Sequence, residues 1–279
     1  FNEREVAVVQ ARSGGFVERV PALAPGDAVA AGTLLAELLV PEWAAVLVAA
    51  LVALWMLWLA ERGLPARFEC LEIGSSAGIN LMIDRYHYDL GGVRVGPKPG
   101  AICFRPEWQG DPPPEQSIEI VSTRGCDVAP VDLTDPAQAL RLKAYVWPEH
   151  SERFARIEAA IAEAARQAPD LVAMNAADFV EAELAKPQAE GTTRVLMHSI
   201  VWQYVPEDQQ ARVTAAMEAA GARATAERPL AWVSLEANRV LHIHEMTVRF
   251  WPGGEEPVTV TRAHPHGAWI AWGGSERTI

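Results

Sequence analysis

The chain has 279 residues, half of them hydrophobic, which is enough for a sizeable core and too apolar for a disordered polypeptide. A net charge of −12, from 36 acidic against 24 basic residues, argues against a phosphate-backbone binder, whose affinity comes from clustered Lys and Arg, and leaves a small-molecule substrate as the better expectation. Only three lysines occur, Lys98, Lys143 and Lys186, and most of the positive charge is arginine, which forms no Schiff base, so lysine chemistry is not expected. The odd, widely spaced cysteines Cys70, Cys103 and Cys126 support neither a disulfide framework nor a C-x-x-C metal site, and fit thiols of a reducing, cytoplasmic compartment.

In chain order, residues 1–43 alternate apolar and polar positions between turn signals at Ser13-Gly14-Gly15, Pro25-Gly26-Asp27 and Ala31-Gly32-Thr33, which predicts short strands. No charged n-region followed by an apolar h-region opens the chain, so no signal peptide is expected. Residues 44–60 are uncharged and apolar all round. Their length permits a membrane span, but a strand follows within a few residues and Arg62 is the one nearby positive anchor, so a buried helix ended by Gly63-Leu64-Pro65 is expected.

Beyond this point strand-like and helix-like segments alternate, the signature of an α/β chain. A strand over 68–73 leads through Gly74-Ser75-Ser76-Ala77-Gly78 into a helix over 79–86. Residues 87–117 read as an insertion with short strands. Further strands are predicted at 117–122, 171–174, 194–198 and 230–236, and helices at 135–146, 149–167, 179–185 and 207–220. The tail, 241–251, 258–264 and 268–272, reads as an antiparallel hairpin closing a mostly parallel sheet.

The glycine turn is the expected address of the function, because ligands of open α/β sheets lie beyond the carboxyl ends of the strands and a helix N-terminus there favours negative charge. A dinucleotide fingerprint needs G-x-G-x-x-G, and Ile79 stands where the pattern would go on, so that chemistry is not expected. A serine-hydrolase elbow, G-x-S-x-G, would make Ser76 the nucleophile, with Asp178 and His266 following in the order such a triad requires. Elsewhere His198 ends a predicted strand, followed by Ser199, Trp202 and Tyr204, and could act as a base near neutral pH, with Tyr204 beside it. Asp84 next to Arg85 could orient a substrate, though a surface ion pair is the more ordinary role. His242-Ile-His244 and His264-Pro-His266 have metal-like spacing on strands, but without accompanying cysteines no bound metal is expected.

Three resemblances bear on these residues. Gly15 to Trp43, GFVERVPALAPGDAVAAGTLLAELLVPEW, resembles the biotinyl/lipoyl-like hairpin of periplasmic adaptor (membrane-fusion) proteins of efflux systems, which makes a non-catalytic adaptor one possible role. It contains no lysine, so it carries no lipoate or biotin. Glu72, Gly74, Ser76 and Gly78 resemble the [ED]-x-G-x-G-x-G motif of class I S-adenosylmethionine-dependent methyltransferases, with Ser76 in place of the middle glycine. That resemblance implies S-adenosylmethionine held at Glu72, Gly74, Ser75, Ser76, Gly78 and Asn80, with Asp127 at the ribose and Asp178 beside the adenine.

Residues 44–279 also resemble a bacterial domain-of-unknown-function family through LEIGSSAGINL with DRYHYD, STRGCDVAPVDLTDP, KAYVWPEHSERFARI, VLMHSIVWQYVP, FWPGG and HPHGAWIAW. The resemblance implies a Rossmann-like three-layer sandwich of methyltransferase type from residue 44 onward, with 1–43 as a separate β segment in place of the family's N-terminal helical region.

Overall fold

The computed structural model describes residues 16–19, 37–39, 51, 53–144, 146, 151–238, 240–241, 243–264 and 269–273. Near the N-terminus β1 (Phe16–Arg19) and β2 (Glu37–Leu39) pair antiparallel, Phe16 opposite Leu39. The rest of the 1–43 segment lies outside the described residues.

The helix α1 (residues 53–61) is apolar because it is covered all round. Trp55, Met56, Leu57 and Leu59 are each at most 1% exposed, and the Trp55 ring meets Phe68 edge-on with centroids 5.4 Å apart. Among the described residues no helix is long and apolar enough to cross a membrane; residues 44–50 and 52 of that apolar run lie outside them.

Next come β3 (Arg67–Ile73), a 3-10 segment (Ile79–Arg85), and four short strands, β4 (His87–Leu90), β5 (Val93–Val95), β6 (Cys103–Phe104) and β7 (Glu107–Gln109). They are followed by β8 (Glu119–Asp127), α2 (Pro136–Ala144), α3 (Ser151–Arg166), β9 (Leu171–Ala173), α4 (Ala176–Leu184) and β10 (Thr193–Ser199). The 3-10 turn Trp202–Tyr204 precedes α5 (Glu207–Gly221), β11 (Leu230–Asn238), β12 (Ile243–Trp251), β13 (Gly254–Ala263) and β14 (Trp269–Trp272).

One nine-stranded sheet runs in the order β7-β14-β13-β12-β11-β10-β3-β8-β9. The five strands from β9 to β11 pair parallel, and β11 to β14 continue as an antiparallel meander. Strands β4 to β6 form a separate three-stranded sheet. The three tail segments expected at 241–251, 258–264 and 268–272 are present as β12, β13 and β14, joined antiparallel to the end of the parallel strands. The central strands are covered on both faces, β10 being buried from Thr193 to His198, whereas β8 and β9 toward the edge are largely half-buried or exposed.

Side-chain alternation divides the core in two. Phe68, Cys70, Val195 and Met197 pack with α1, α3 and the 3-10 segment, whereas Leu71, Ile73 and Leu196 pack with α4 and α5. The sheet thus carries helices on both faces. At its amino end Arg194 is buried and fully engaged, its Nε giving 3.0 Å to Glu69 and its Nη groups reaching the carbonyls of Glu183, Lys186 and Pro187.

Candidate functional site

Counted along the chain, the parallel strands stand third, second, first, fourth, fifth, so the strand order reverses between β3 and β10. Open α/β sheets hold their ligands in the crevice that such a reversal leaves at the carboxyl ends. Two backbone outliers flank that point. Among the described residues the non-glycine positions with positive φ are Ser76, after β3, and Ile200, after β10, both at 51°. A β-branched residue in the left-handed region is costly, and such strain concentrates where a loop shape is required for function.

The glycine turn is drawn tightly onto its own chain. Gly74 and Gly78 both have φ of 69°, and a Cβ at Gly74 would meet Val201 Cγ2 at 2.2 Å. The close approach that glycine permits here is thus made by Val201. Ser75 Oγ donates to the Glu72 carbonyl, and Ser76 N donates to Asp127 Oδ2 at 2.9 Å, stapling the turn to the end of β8. Asp127 Oδ1 accepts from Ala129 N at 2.9 Å, so each carboxylate oxygen holds one backbone N–H and retains a further lone pair.

The α-helix expected over 79–86 is a 3-10 segment with a kink at Met82. Its carbonyls are claimed from outside: Tyr86 Oη donates to Ile79 O, Thr123 Oγ1 to Leu81 O at 2.7 Å, and Tyr88 Oη to Ile83 O. Those side chains compete with the i→i−4 ladder, and an anion site at a helix N-terminus does not arise here.

What the segment does supply is Asn80. Its Nδ2 donates to Glu72 Oε1 at 2.8 Å, with Glu72 2% and Asn80 4% exposed. Glu72 Oε2 and Asn80 Oδ1 are buried and make no hydrogen bond among the described residues. Burial pushes the Glu72 carboxyl up to about 7, against the smaller, opposite effects of Asn80 and Ser75. Both residues line a pocket of about 270 Å³ including its open mouth, walled by Trp55, Met197, Val233, Leu235 and Met246. Two acceptor oxygens in an apolar pocket suit a ligand group rich in N–H or O–H donors.

His198 and Ser199 also line this pocket. In the parallel register His198 lies beside Ile73 and Met197 beside Glu72, so the histidine sits on the α4/α5 face and the acidic residue on the α1 face. They share the crevice only because both come from strand ends. His198 Nδ1 lies 2.7 Å from Glu236 Oε1 of β11, and its ring stacks on Trp202 with centroids 5.0 Å apart. Sequence reasoning missed Glu236. The available signal was an acidic residue near the carboxyl end of a strand beside the one carrying His198.

Residues 42–272 match the family described as uncharacterized protein conserved in bacteria (DUF2332). The chain belongs to that family. Over 43 residues it is also 51% identical to SilB of Salmonella typhimurium, described as a membrane fusion protein, and 46% identical to the cation efflux system protein CusB of Escherichia coli K12. Those 43 residues are 15% of this chain and 10% and 11% of the two relatives, so the chain spans about a tenth of the curated proteins it matches. No solved structure is a significant match.

In this DUF2332 member the remaining candidates lie apart from the pocket. Asp178 sits in the first turn of α4, where its carboxylate holds Arg212 at 2.7 Å and Asn175 at 2.6 Å, and Arg212 keeps it below the usual carboxylate range. It is a half-exposed surface pair, away from the residues that line the pocket. Asp84 faces solvent beside Arg85 at 3.6 Å, the ordinary role foreseen for it. Tyr204 lies in the 3-10 turn after β10, half-buried and not among the pocket-lining residues.

His242 and His266 lie outside the described residues. His244 is buried with no hydrogen bond to Nε2 among the described residues, and burial lowers it to about 4, so the ring is neutral. Among the described residues no group of three or more His, Cys, Asp or Glu could hold a metal ion. Burial pushes the Cys126 thiol up to about 12 and raises Cys70 as well, leaving both unreactive.

Proposed function

We propose that this chain binds S-adenosylmethionine across the carboxyl ends of β3 and β8 in a Rossmann-like, methyltransferase-type domain, and transfers its methyl group to a small molecule. The observation that carries the reading is the pair of unsatisfied buried oxygens, Glu72 Oε2 and Asn80 Oδ1, at the reversal of strand order. The donors of an amino-acid ammonium would satisfy both, so the residues fit that half of the molecule. The ribose hydroxyls would go to Asp127, which the Ser76 N–H holds against the turn. Val128 (79% exposed) and Met174 (38%) stand at the ends of β8 and β9, where Met174 N donates to Asp127 O, and would cover the adenine. They take the place first expected of Asp178, whose carboxylate is occupied by Arg212 and Asn175.

When bound, the cofactor supplies an electrophilic methyl on a sulfonium. The protein's contribution is positioning, with a base where the nucleophile carries a proton. Isothermal titration calorimetry tests the reading. A micromolar dissociation constant, about −8 kcal/mol, is expected for S-adenosylmethionine or its demethylated product, with loss of binding in Glu72→Ala. No heat with either compound overturns it.

The left-handed backbone at Ser76 also favours, as a second reading, a nucleophile elbow. Labelling of Ser76 by a fluorophosphonate, abolished in Ser76→Ala, would establish that chemistry, and absence of labelling retires it.

A further inference from the structure

We propose that His198 is a general base, fixed by Glu236 as the Nδ1–H tautomer so that its Nε2 lone pair is available to a proton-bearing nucleophile, an amine or a hydroxyl, in the pocket. Glu236 is then a positioning residue: it acts through His198. The proposal rests on the methyl-transfer reading above for its reaction, but its argument comes from the opposite face of the sheet.

The tautomer follows from Glu236 Oε1. That one oxygen lies 2.7 Å from His198 Nδ1, 3.2 Å from Val201 N and 3.1 Å from Trp202 N. Backbone N–H groups can only donate, so Oε1 is an acceptor toward all three neighbours. The shared proton belongs on Nδ1, and in the neutral ring Nε2 is left bare. Partnership with a carboxylate through the other ring nitrogen is how catalytic and metal-binding imidazoles are commonly held in one tautomer.

The ring is also held in place. It stacks on Trp202 at an interplanar angle of 22° and meets the edge of Trp232 with centroids 6.2 Å apart. The turn that carries Trp202 begins at the left-handed Ile200, which is 1% exposed and donates to Leu235 O at 2.9 Å. Glu236 holds the two amides that follow, so one carboxylate sets the loop and the imidazole together. A histidine needed for packing alone has no use for its position at the pocket rim beside Ser199.

In the step this permits, the nucleophile's lone pair forms the bond to the methyl carbon, the carbon–sulfur pair stays with sulfur, and the nucleophile's proton passes to Nε2. The Glu236 carboxylate stabilises the resulting imidazolium.

The test uses the full chain labelled with ¹⁵N-histidine, with imidazole nitrogens followed by long-range proton–nitrogen spectra from pH 5 to 8.5. For His198, Nδ1 is expected to be the protonated nitrogen of the neutral ring. In Glu236→Leu, which removes the acceptor at Nδ1, the neutral ring should lose its Nδ1–H preference and populate both tautomers, and Glu236→Gln, which keeps an acceptor for Nδ1 and the two amides, should restore it. Addition of the demethylated cofactor product should shift the Nε2 signal. A protonated Nε2 in the neutral ring of the wild type, or an unchanged tautomer ratio in a folded Glu236→Leu variant, overturns the tautomer assignment. Heat of cofactor binding in calorimetry without any response at Nε2 shows His198 to be structural and overturns the base. No heat at all overturns the methyl-transfer reading instead.

Discussion

Glu72 and Asn80 bond to each other at 2.8 Å inside the fold, and each keeps one buried oxygen that no described protein group satisfies. In a stable core an orphaned acceptor costs about 1–3 kcal/mol, so a pair of them lining one pocket is the mark of a place where a donor-bearing molecule belongs.

The first prediction concerns pH. Burial raises the Glu72 carboxyl from 4.5 to about 7, so between those values the folded chain binds more protons than the unfolded one. Stability should therefore fall as pH rises through that window and level off above it, by a quantity on the order of 3 kcal/mol at most. Urea unfolding from pH 4.5 to 8 should show this slope in the wild type and a flattened one in Glu72→Gln. An unchanged slope in the variant assigns the proton to another group.

Removing the amide of Asn80 takes away its hydrogen bond of 2.8 Å to Glu72 Oε1. Asn80→Ala should cost about 1–3 kcal/mol at pH 8, where the carboxylate is charged, and measurably less at pH 5. Equal loss at both pH values would mean that the cost is cavity formation alone.

Gly74→Ala sets a side chain into a left-handed position against Val201, with Cγ2 only 2.2 Å away. Backbone strain and overpacking together should destabilise by about 2–4 kcal/mol. In a double-mutant cycle with Val201→Ala, the part of the overpacking due to the Cγ atoms should be recovered, while the Cβ at 2.8 Å and the backbone strain remain, giving a non-zero interaction energy.

Ser76→Gly separates the two readings of the turn. The left-handed φ of 51° suits glycine, so folding should be preserved, within about 1 kcal/mol of the wild type. Cofactor affinity should also persist if Ser76 is a spacer; loss of affinity with the fold intact would give its hydroxyl a direct role.

Asp178→Asn should leave cofactor affinity unchanged, since the carboxylate serves Arg212 and Asn175 at the protein surface. Weakened binding by calorimetry would return Asp178 to the site.

The alternation of strands and helices and the glycine turn were legible because each rests on local periodicity: β3, predicted over 68–73, spans Arg67–Ile73, and α5, predicted over 207–220, spans Glu207–Gly221. What was not legible depended on distant partners. The helix expected over 79–86 is a 3-10 segment, its carbonyls accepting from the nearby Tyr86 and Tyr88 and from Thr123, 42 residues on, which no local pattern announces. The pairing of Glu72 with Asn80 is local and could be foreseen as neighbouring site residues; the pairing of His198 with Glu236 spans 38 residues and two strands. Asp178 stands after the third parallel strand, where its slot implied, and what that slot does not announce is Arg212 on α5, which holds the carboxylate.

The sheet's far edge has a consequence for how the chain folds. Strand β7 leaves the polypeptide before the second of the parallel strands, yet it pairs with β14, Glu107 beside Trp269 and Gln109 beside Ala271. A contact across so long a loop forms late and slowly, since the entropy of closure precedes any gain from the ladder. During synthesis β7, residues 107–109, must wait for nearly the whole remaining chain to emerge before β14 pairs with it. Strand β14 therefore acts as a clasp: its arrival ties the early β7 to the late meander and makes β7 the sheet's edge on that side.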